Sequence, residues 1–345
     1  MLIALFILIF GIILLIFGGE LLVRGAVSLA DRLGISPLMI GLTIVAFGTS
    51  APELALNSIA AFRGQTDLCF GNIVGSNIAN IGLILGITAL IKPLAVHSQV
   101  IKRELPMMIL TTIVVCFMSL SWPLLFHGDA TVHTFWHGAI SRADGIIMLL
   151  GFTGFFFYQL HINKHGSKYE IKSDVAIEGL IEEAEQGRVG SLPLAIFMFL
   201  IGLGLLILGG DLAGRGAAKV AARLGMGEDL IGLTIVAVAT SLPELATSFA
   251  ALRRNQTDIA VGNIVGSNLF NLLIVLGATA TIRKVPIPIP IGGMSLLIML
   301  ILALILWPMA SLRNRRICRF EGVILLLIYF FYMGWSVWQH LSAAE

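Results

Sequence analysis

Residues Gly41–Ile91 read GLTIVAFGTSAPELALNSIAAFRGQTDLCFGNIVGSNIANIGLILGITALI, and residues Gly232–Ile282 read GLTIVAVATSLPELATSFAALRRNQTDIAVGNIVGSNLFNLLIVLGATATI. The second string follows the first at a constant offset of 191 residues (232 minus 41), without a gap, and about 30 of the 51 positions are identical. Self-similarity at a fixed spacing marks a duplicated structural unit. The match continues upstream, where Gly18-Gly19-Glu20 and Arg24-Gly25-Ala26 align with Gly209-Gly210-Asp211 and Arg215-Gly216-Ala217.

Both copies are apolar enough to lie in lipid. Apolar residues fill 57% of the 345 positions and charged residues 12%, with a mean hydropathy of +0.96, against about 25% charged in soluble domains. A span needs about 20 apolar residues. Segments of that kind fall at 2–23, 37–62, 69–91, 105–126 and 145–162, then at 192–212, 230–252, 259–282, 291–312 and 322–341. The expectation is an all-α polytopic membrane protein of ten transmembrane helices: a first five-helix repeat over 1–162, a polar linker over 163–191 and a second repeat over 192–345. Five is odd, so the second copy enters from the opposite face and the repeats are inverted, with a substrate site expected where they meet at mid-membrane. Lys and Arg in alternate connections, about 15 on one side and about 7 on the other, place both termini outside the cytoplasm. The first apolar run lacks a basic n-region and a small-residue cleavage site and reads as a retained helix.

Each copy carries a carboxylate, Glu53 or Glu244, in mid-segment within Thr-Ser-x-Pro-Glu. An acid at that depth is costly and marks an ion path. Pro52 and Pro243 supply no N–H, so the carbonyls of Gly48 and Ala239 lose a helical partner. Hard cations such as Ca2+ and Na+ take oxygen ligands, and Thr49, Ser50, Thr240 and Ser241 set hydroxyls beside each acid. A kinked helix with a protonated Glu would explain one such motif; two symmetric ones argue for a site. The second repeated string is GNIVGSN, Gly71–Asn77 and Gly262–Asn268. Its G-x-x-x-G spacing alone signals close helix packing. Asn72, Ser76 and Asn80, and likewise Asn263, Ser267 and Asn271, recur every four residues and line one helical face.

These paired strings resemble the alpha repeats of the calcium/cation antiporter superfamily, which contains the sodium/calcium exchangers and their bacterial relatives, over nearly the whole chain. The resemblance implies a ten-helix exchanger in which the second, third, seventh and eighth helices surround adjacent cation positions. It implies that Glu53 and Glu244 bind Ca2+ and also serve the Na+ positions. Thr49, Ser50, Thr240 and Ser241 would add hydroxyl or carbonyl oxygens, Ala46 and Ala237 backbone carbonyls, and Ser76, Asn80, Ser267 and Asn271 would complete the site. The Ca2+ ligands proper would be Glu53, Glu244, Thr49 and Thr240. Two departures stand out: Asn271 replaces an Asp found in some members, leaving two obvious carboxylates, and Ala239 replaces the Gly of the first copy, which would alter the local unwinding slightly.

The function expected is therefore Na+/Ca2+ antiport across a bacterial-type cytoplasmic (inner) membrane, with Ca2+ and Na+ as transported ions, no cofactor and no enzymatic role. Ca2+/H+ or other cation/H+ exchange is the alternative, and a passive cation channel a more distant one. The expected partners are inorganic cations and the lipid bilayer. A near-neutral net charge of +2 and scattered basic residues exclude nucleic acid, and nothing marks an obligate protein partner. The absence of a G-x-G-D string argues against an intramembrane aspartyl protease. Cys69, Cys116 and Cys318 lack metal or redox spacing and read as fillers. His127, His133 and His137 beside Asp129 read as an ordinary polar loop, the acidic stretch around Glu178, Glu182, Glu183 and Glu185 as a plain linker, and Trp335 and Trp338 as an interfacial belt. The pairs Glu20–Arg24 and Asp211–Arg215 read as interfacial anchors, or as part of a moving element.

Overall fold

Leu2–Leu33 forms one unbroken helix, α1. In the computed structural model, residues 1–120, 138–166, 191–224, 237–289, 291–312 and 315–344 are described. After α1 come α2, in two pieces (Pro37–Thr49 and Ala51–Phe62), and α3 (Thr66–Ile91). Strand β1 (Leu94–Ala95), helix α4 (a π-helical turn Val100–Glu104 leading into Leu105–Met118), β2 (Ala139–Ile140) and α5 (Arg142–Gly166) complete the first half. The second half runs α6 (Leu192–Arg223), α7 (Ala237–Thr240 and Leu242–Arg253), α8 (Thr257–Ile282), β3 (Val285–Pro286), α9 (Ile291–Ser311), β4 (Arg316–Ile317) and α10 (Arg319–Ala344).

α1 and α6 have 32 residues each, about 48 Å at 1.5 Å per residue, and continue past the ends expected at residues 23 and 212. The charges that marked those ends do not stop the helices. Glu20 and Arg24 lie one turn apart and pair at 3.1 Å, and Asp211 and Arg215 pair at 2.8 Å, so each helix neutralises its own polar groups. α1 stops at Gly34, whose left-handed φ of 63° suits only a residue without Cβ strain. The next helix starts at once, with Pro37 in its first turn and the Ser36 hydroxyl accepting from the Met39 amide at 3.2 Å.

Burial sorts the helices into layers. In the most apolar window, 94% of α8 and 78% of α3 is buried, against 28% of α1 and of α6. The two GNIVGSN helices are therefore the centre of the molecule and α1 and α6 lie at its rim. On α8 the G-x-x-x-G pair does what the spacing predicts: a Cβ on Gly262 would stand 3.0 Å from the Leu38 carbonyl oxygen, and one on Gly266 2.5 Å from that of Leu42. α1 and α6 cross equally closely through Gly11, Gly18 and Gly25 against Gly202, Gly209 and Gly216. A Cβ on Gly18 would stand 2.9 Å from the Gly202 oxygen, and one on Gly202 2.4 Å from the Leu22 nitrogen.

The halves also exchange their last helices. β1 pairs antiparallel with β4 and β2 with β3, each pair joining one half to the other. Correspondingly α5 packs on α8 and α10 on α3, with Gly145 against the Gly277 carbonyl and Gly322 against that of Gly86.

Candidate cation site

α2 and α7 break at equivalent residues. Ser50 has φ −89° and ψ 5°, and Ser241 has φ −91° and ψ 4°; the α2 pieces meet at 41°. At the serine itself the two breaks match to within a few degrees, whereas the turn before it differs: the Ser50 amide donates to the Ala46 carbonyl, four residues back, and the Ser241 amide to that of Val238, three back. Gly48 also answers to packing, since a Cβ there would lie 3.0 Å from Leu203 Cδ1. Pro52 and Pro243 fall in the first turn after each break, where a missing N–H costs nothing. Glu53 and Glu244 follow them in that same first turn, where the positive end of the helix dipole favours a negative charge.

Both carboxylates are sealed, at 1% and 0% exposure, and close enough to interact electrostatically. Ser50, preceding Glu53, donates its hydroxyl to Glu244 Oε1 at 3.0 Å. The reciprocal bond is not made: Ser241 Oγ and both oxygens of Glu53 have no partner among the described residues.

The helix-centre stripes close around this pair. Thr49 Oγ1 donates to Asn263 Oδ1 at 3.2 Å, and at the equivalent place Asn72 Nδ2 donates to Thr240 Oγ1 at 3.0 Å. Each asparagine is held from its own half as well. Asn57 Nδ2 donates to Asn72 Oδ1 and to the Glu53 carbonyl, both at 2.7 Å, while Asn263 Nδ2 donates to Ser248 Oγ at 3.4 Å and to the Glu244 carbonyl at 3.5 Å. Thr49 Oγ1 also meets Ser267 Oγ at 3.5 Å, and Asn271 Nδ2 donates to Ser76 Oγ at 3.1 Å. Asn80 Nδ2 reaches Asn268 Oδ1 at 3.1 Å. Asn80 and Asn271 each open a π-helical turn, Asn80–Leu85 and Asn271–Val275, the kind of local widening that recurs at functional sites.

The structure thus gathers Glu53, Glu244, Thr49, Ser50, Ser241, Ser76, Asn80, Ser267 and Asn271, all buried, with Thr240 half-buried at their edge. The Ala46 carbonyl already accepts the Ser50 amide at 3.0 Å and the Thr49 hydroxyl at 3.4 Å, so it has little capacity left. Ala237 opens the first piece of α7. Asn57 and Ser248, which the sequence pattern alone does not single out, join this network. Their one mark in the sequence is that each stands four residues after its Glu and so shares its face.

The chemistry of this set is that of acceptors in need of a cation. Glu53 Oε1 and Oε2, Glu244 Oε2, Ser241 Oγ, Asn80 Oδ1 and Asn271 Oδ1 are buried without partners among the described residues. Buried polar groups are ordinarily paired, and six oxygens of carboxylate, hydroxyl and amide type are what a hard cation takes. Among the described residues no three His, Cys, Asp or Glu side chains come together, so the site consists of two acids with neutral oxygens around them. His127, His133, His137, Asp129 and the acidic residues of the linker lie outside the described residues.

Known proteins resemble this chain over most of its length. The family of the sodium/calcium exchanger protein matches residues 3–161 and 194–338. CaxA of Alkalimonas amylolytica is 39% identical over 96% of this chain and 98% of its own. The inner membrane protein YrbG of Escherichia coli is 37% identical over 89% and 90%, and the sodium/calcium exchanger MaX1 of Methanosarcina acetivorans 30% over 94% and 95%. The sodium-calcium exchanger NCX_Mj, in a structure soaked with Na+ and Ca2+, superposes with a TM-score of 0.77 at 27% identity, covering 96% of this chain and 98% of that one. Its ten-helix inverted-repeat architecture is the fold found here. The chain belongs to the sodium/calcium exchanger protein family, and is an integral membrane cation/calcium exchanger, a transporter and not an enzyme.

Proposed function

We propose that this protein exchanges Na+ for Ca2+, with Glu53 and Glu244 binding both ions in turn. The observation that carries the reading is the set of unpartnered oxygens that Glu53, Glu244 and Ser241 hold at two symmetrically broken helices, with those of Asn80 and Asn271 on the π-helical turns packed against them. Glu53, Glu244, Thr49 and Thr240 are the Ca2+ ligands; Ser50, Ser241, Ser76, Asn80, Ser267, Asn271 and the Ala237 carbonyl serve the adjacent Na+ positions, and the Ala46 carbonyl joins them once the Thr49 hydroxyl turns from it to an ion. Two ionised carboxylates carry a charge that one Ca2+ or two Na+ neutralise, so the ions compete, and competition at one site is the basis of exchange. Were a third Na+ carried, each cycle would move one net charge, worth about 2.3 kcal/mol per 100 mV.

Access alternates as the α1/α6 pair, joined through its glycine crossing, moves against the other helices. The repeats 1–162 and 192–345 act as the two inverted units, joined by the linker 163–191. The name of YrbG supports a cytoplasmic (inner) membrane, and the basic connections support external termini. Inorganic cations are the only partners the reading requires besides lipid.

Ca2+/H+ exchange is the second reading, favoured by one feature: both Glu53 oxygens are buried and free to take a proton instead of an ion. One experiment separates the two. ⁴⁵Ca2+ uptake into proteoliposomes loaded with Na+ is expected to require the outward Na+ gradient and to vanish in Glu53→Gln and in Glu244→Gln. Uptake indifferent to Na+ and driven by a pH gradient would replace Na+ with protons, and no Ca2+ flux under either gradient would end the Ca2+ assignment.

A further inference from the structure

α1 and α6 meet each other symmetrically but meet the rest of the protein asymmetrically. A Cβ on Gly19 would stand 2.8 Å from the Ala246 oxygen and 3.4 Å from Ala250 Cβ, on the second piece of α7. Gly210 occupies the equivalent place on α6, yet its nearest neighbours are Pro243, at 3.3 Å, and Ala239, also of α7, where repeat symmetry would put α2. α1 packs along Leu242–Arg253, and no comparable packing joins α6 to Ala51–Phe62. Ala250 is accordingly 5% exposed and its equivalent, Ile59, 53%.

Ion pairs follow the same asymmetry. Glu20 on α1 is bonded by Arg254, just past the end of α7, in addition to Arg24. The two side chains are 29% and 24% exposed. The equivalent acid, Asp211, pairs with Arg215 on its own helix. Arg63, the equivalent of Arg254, is exposed and makes no ion pair among the described residues. One acid–arginine pair of two equivalent ones is closed.

Two inverted copies of one sequence reach a second conformation when the copies exchange roles. We propose that Glu20–Arg254 and Asp211–Arg63 are alternating latches, one on each face of the membrane, that tie the α1/α6 pair to α7 when one face of the cation site is shut and to α2 when the other is. The inference rests on the alternating access proposed above, and not on which ions are carried. With external termini, Glu20–Arg254 shuts the cytoplasmic face. A half-exposed ion pair biases an equilibrium only about two- to fivefold, which suits a contact that must release in every cycle.

The test uses the full chain with Cys318→Ser, since Cys69 and Cys116 are buried, and a bis-methanethiosulfonate reagent long enough to replace both side chains. Glu20→Cys with Arg254→Cys, and separately Asp211→Cys with Arg63→Cys, are expected to link, each stopping transport until a reductant is added. With all four cysteines present, each molecule is expected to link at one pair or the other. In a further variant Glu20→Gln is combined with the Asp211/Arg63 cysteines, and the fraction linked there is expected to rise about two- to fivefold. Failure of the second pair to link, linkage of both pairs in one molecule, or an unchanged fraction in the Glu20→Gln variant would each overturn the latches. Alternate linkage in a protein that proves to couple to protons would uphold them and move only the ion assignment.

Discussion

Ser50 and Ser241 stand at the same place in the two repeats and do different things, which makes them a direct probe of the site. The Ser50 hydroxyl donates to a buried carboxylate at 3.0 Å, while Ser241 Oγ is buried without a partner. Hydrogen bonds to charged groups are worth about 1.5–3 kcal/mol. Ser50→Ala therefore lowers the apo-protein Tm by several degrees, and Ser241→Ala leaves it within a degree; both reduce the upward Tm shift that Ca2+ produces. A thermal scan with and without Ca2+ decides, and equal apo Tm losses in the two variants would mean that the site is symmetric at rest. The acids, hydroxyls and amides were legible in the sequence because lipid makes each of them expensive and the repeat shows each twice. The asymmetry was not, since two near-identical strings carry no record of which copy is engaged in a given conformation.

At the scale of elements, the breaks in α2 and α7 were legible from Thr-Ser-x-Pro-Glu, whereas the π-helical turns at Asn80 and Asn271 left no mark that a residue-type pattern detects. α1 and α6 run past the apolar segments 2–23 and 192–212 because the charged residues that interrupt the apolar pattern, Arg24 and Arg215, each pair with an acid one turn earlier. Their crossing depends on glycine for space. A Cβ at Gly202 would lie 2.4 Å from the Leu22 nitrogen and 2.8 Å from the Gly18 oxygen, backbone atoms that have no room to yield, while nothing stands within 4 Å of a Cβ at Gly204. Gly202→Val should push the helices apart and lower Tm by well over ten degrees or abolish the folded protein. Gly204→Ala should be neutral or raise stability by up to about 1 kcal/mol, through the gain in helix propensity. Size-exclusion profiles after graded heating measure both, and a tolerated Gly202→Val would show that the two helices do not cross at that glycine.

At the scale of the molecule, duplication and inversion follow from an offset of 191 residues and an odd helix count, yet the offset says nothing about which copy each helix packs against. The answer lies in the long-range pairing of β1 with β4 and β2 with β3, and in the seating of α5 on α8 and α10 on α3. Each half alone would leave the interface of its central helix uncovered, and would strand Asn72 without Thr240 or Thr49 without Asn263. In lipid no hydrophobic force drives helices together, so such contacts and close packing must hold the fold. Residues 1–166 and 191–345, produced as separate chains in one cell, should therefore co-purify as a single complex in detergent and support Ca2+ flux, whereas either piece alone should aggregate or be degraded. The experiment also separates the two ways a repeat protein can be built. A monodisperse, stable half would mean that each repeat is a self-sufficient bundle and that the exchange of α5 and α10 does not hold the fold; recovery only in pairs would make that exchange the reason the two copies cannot part.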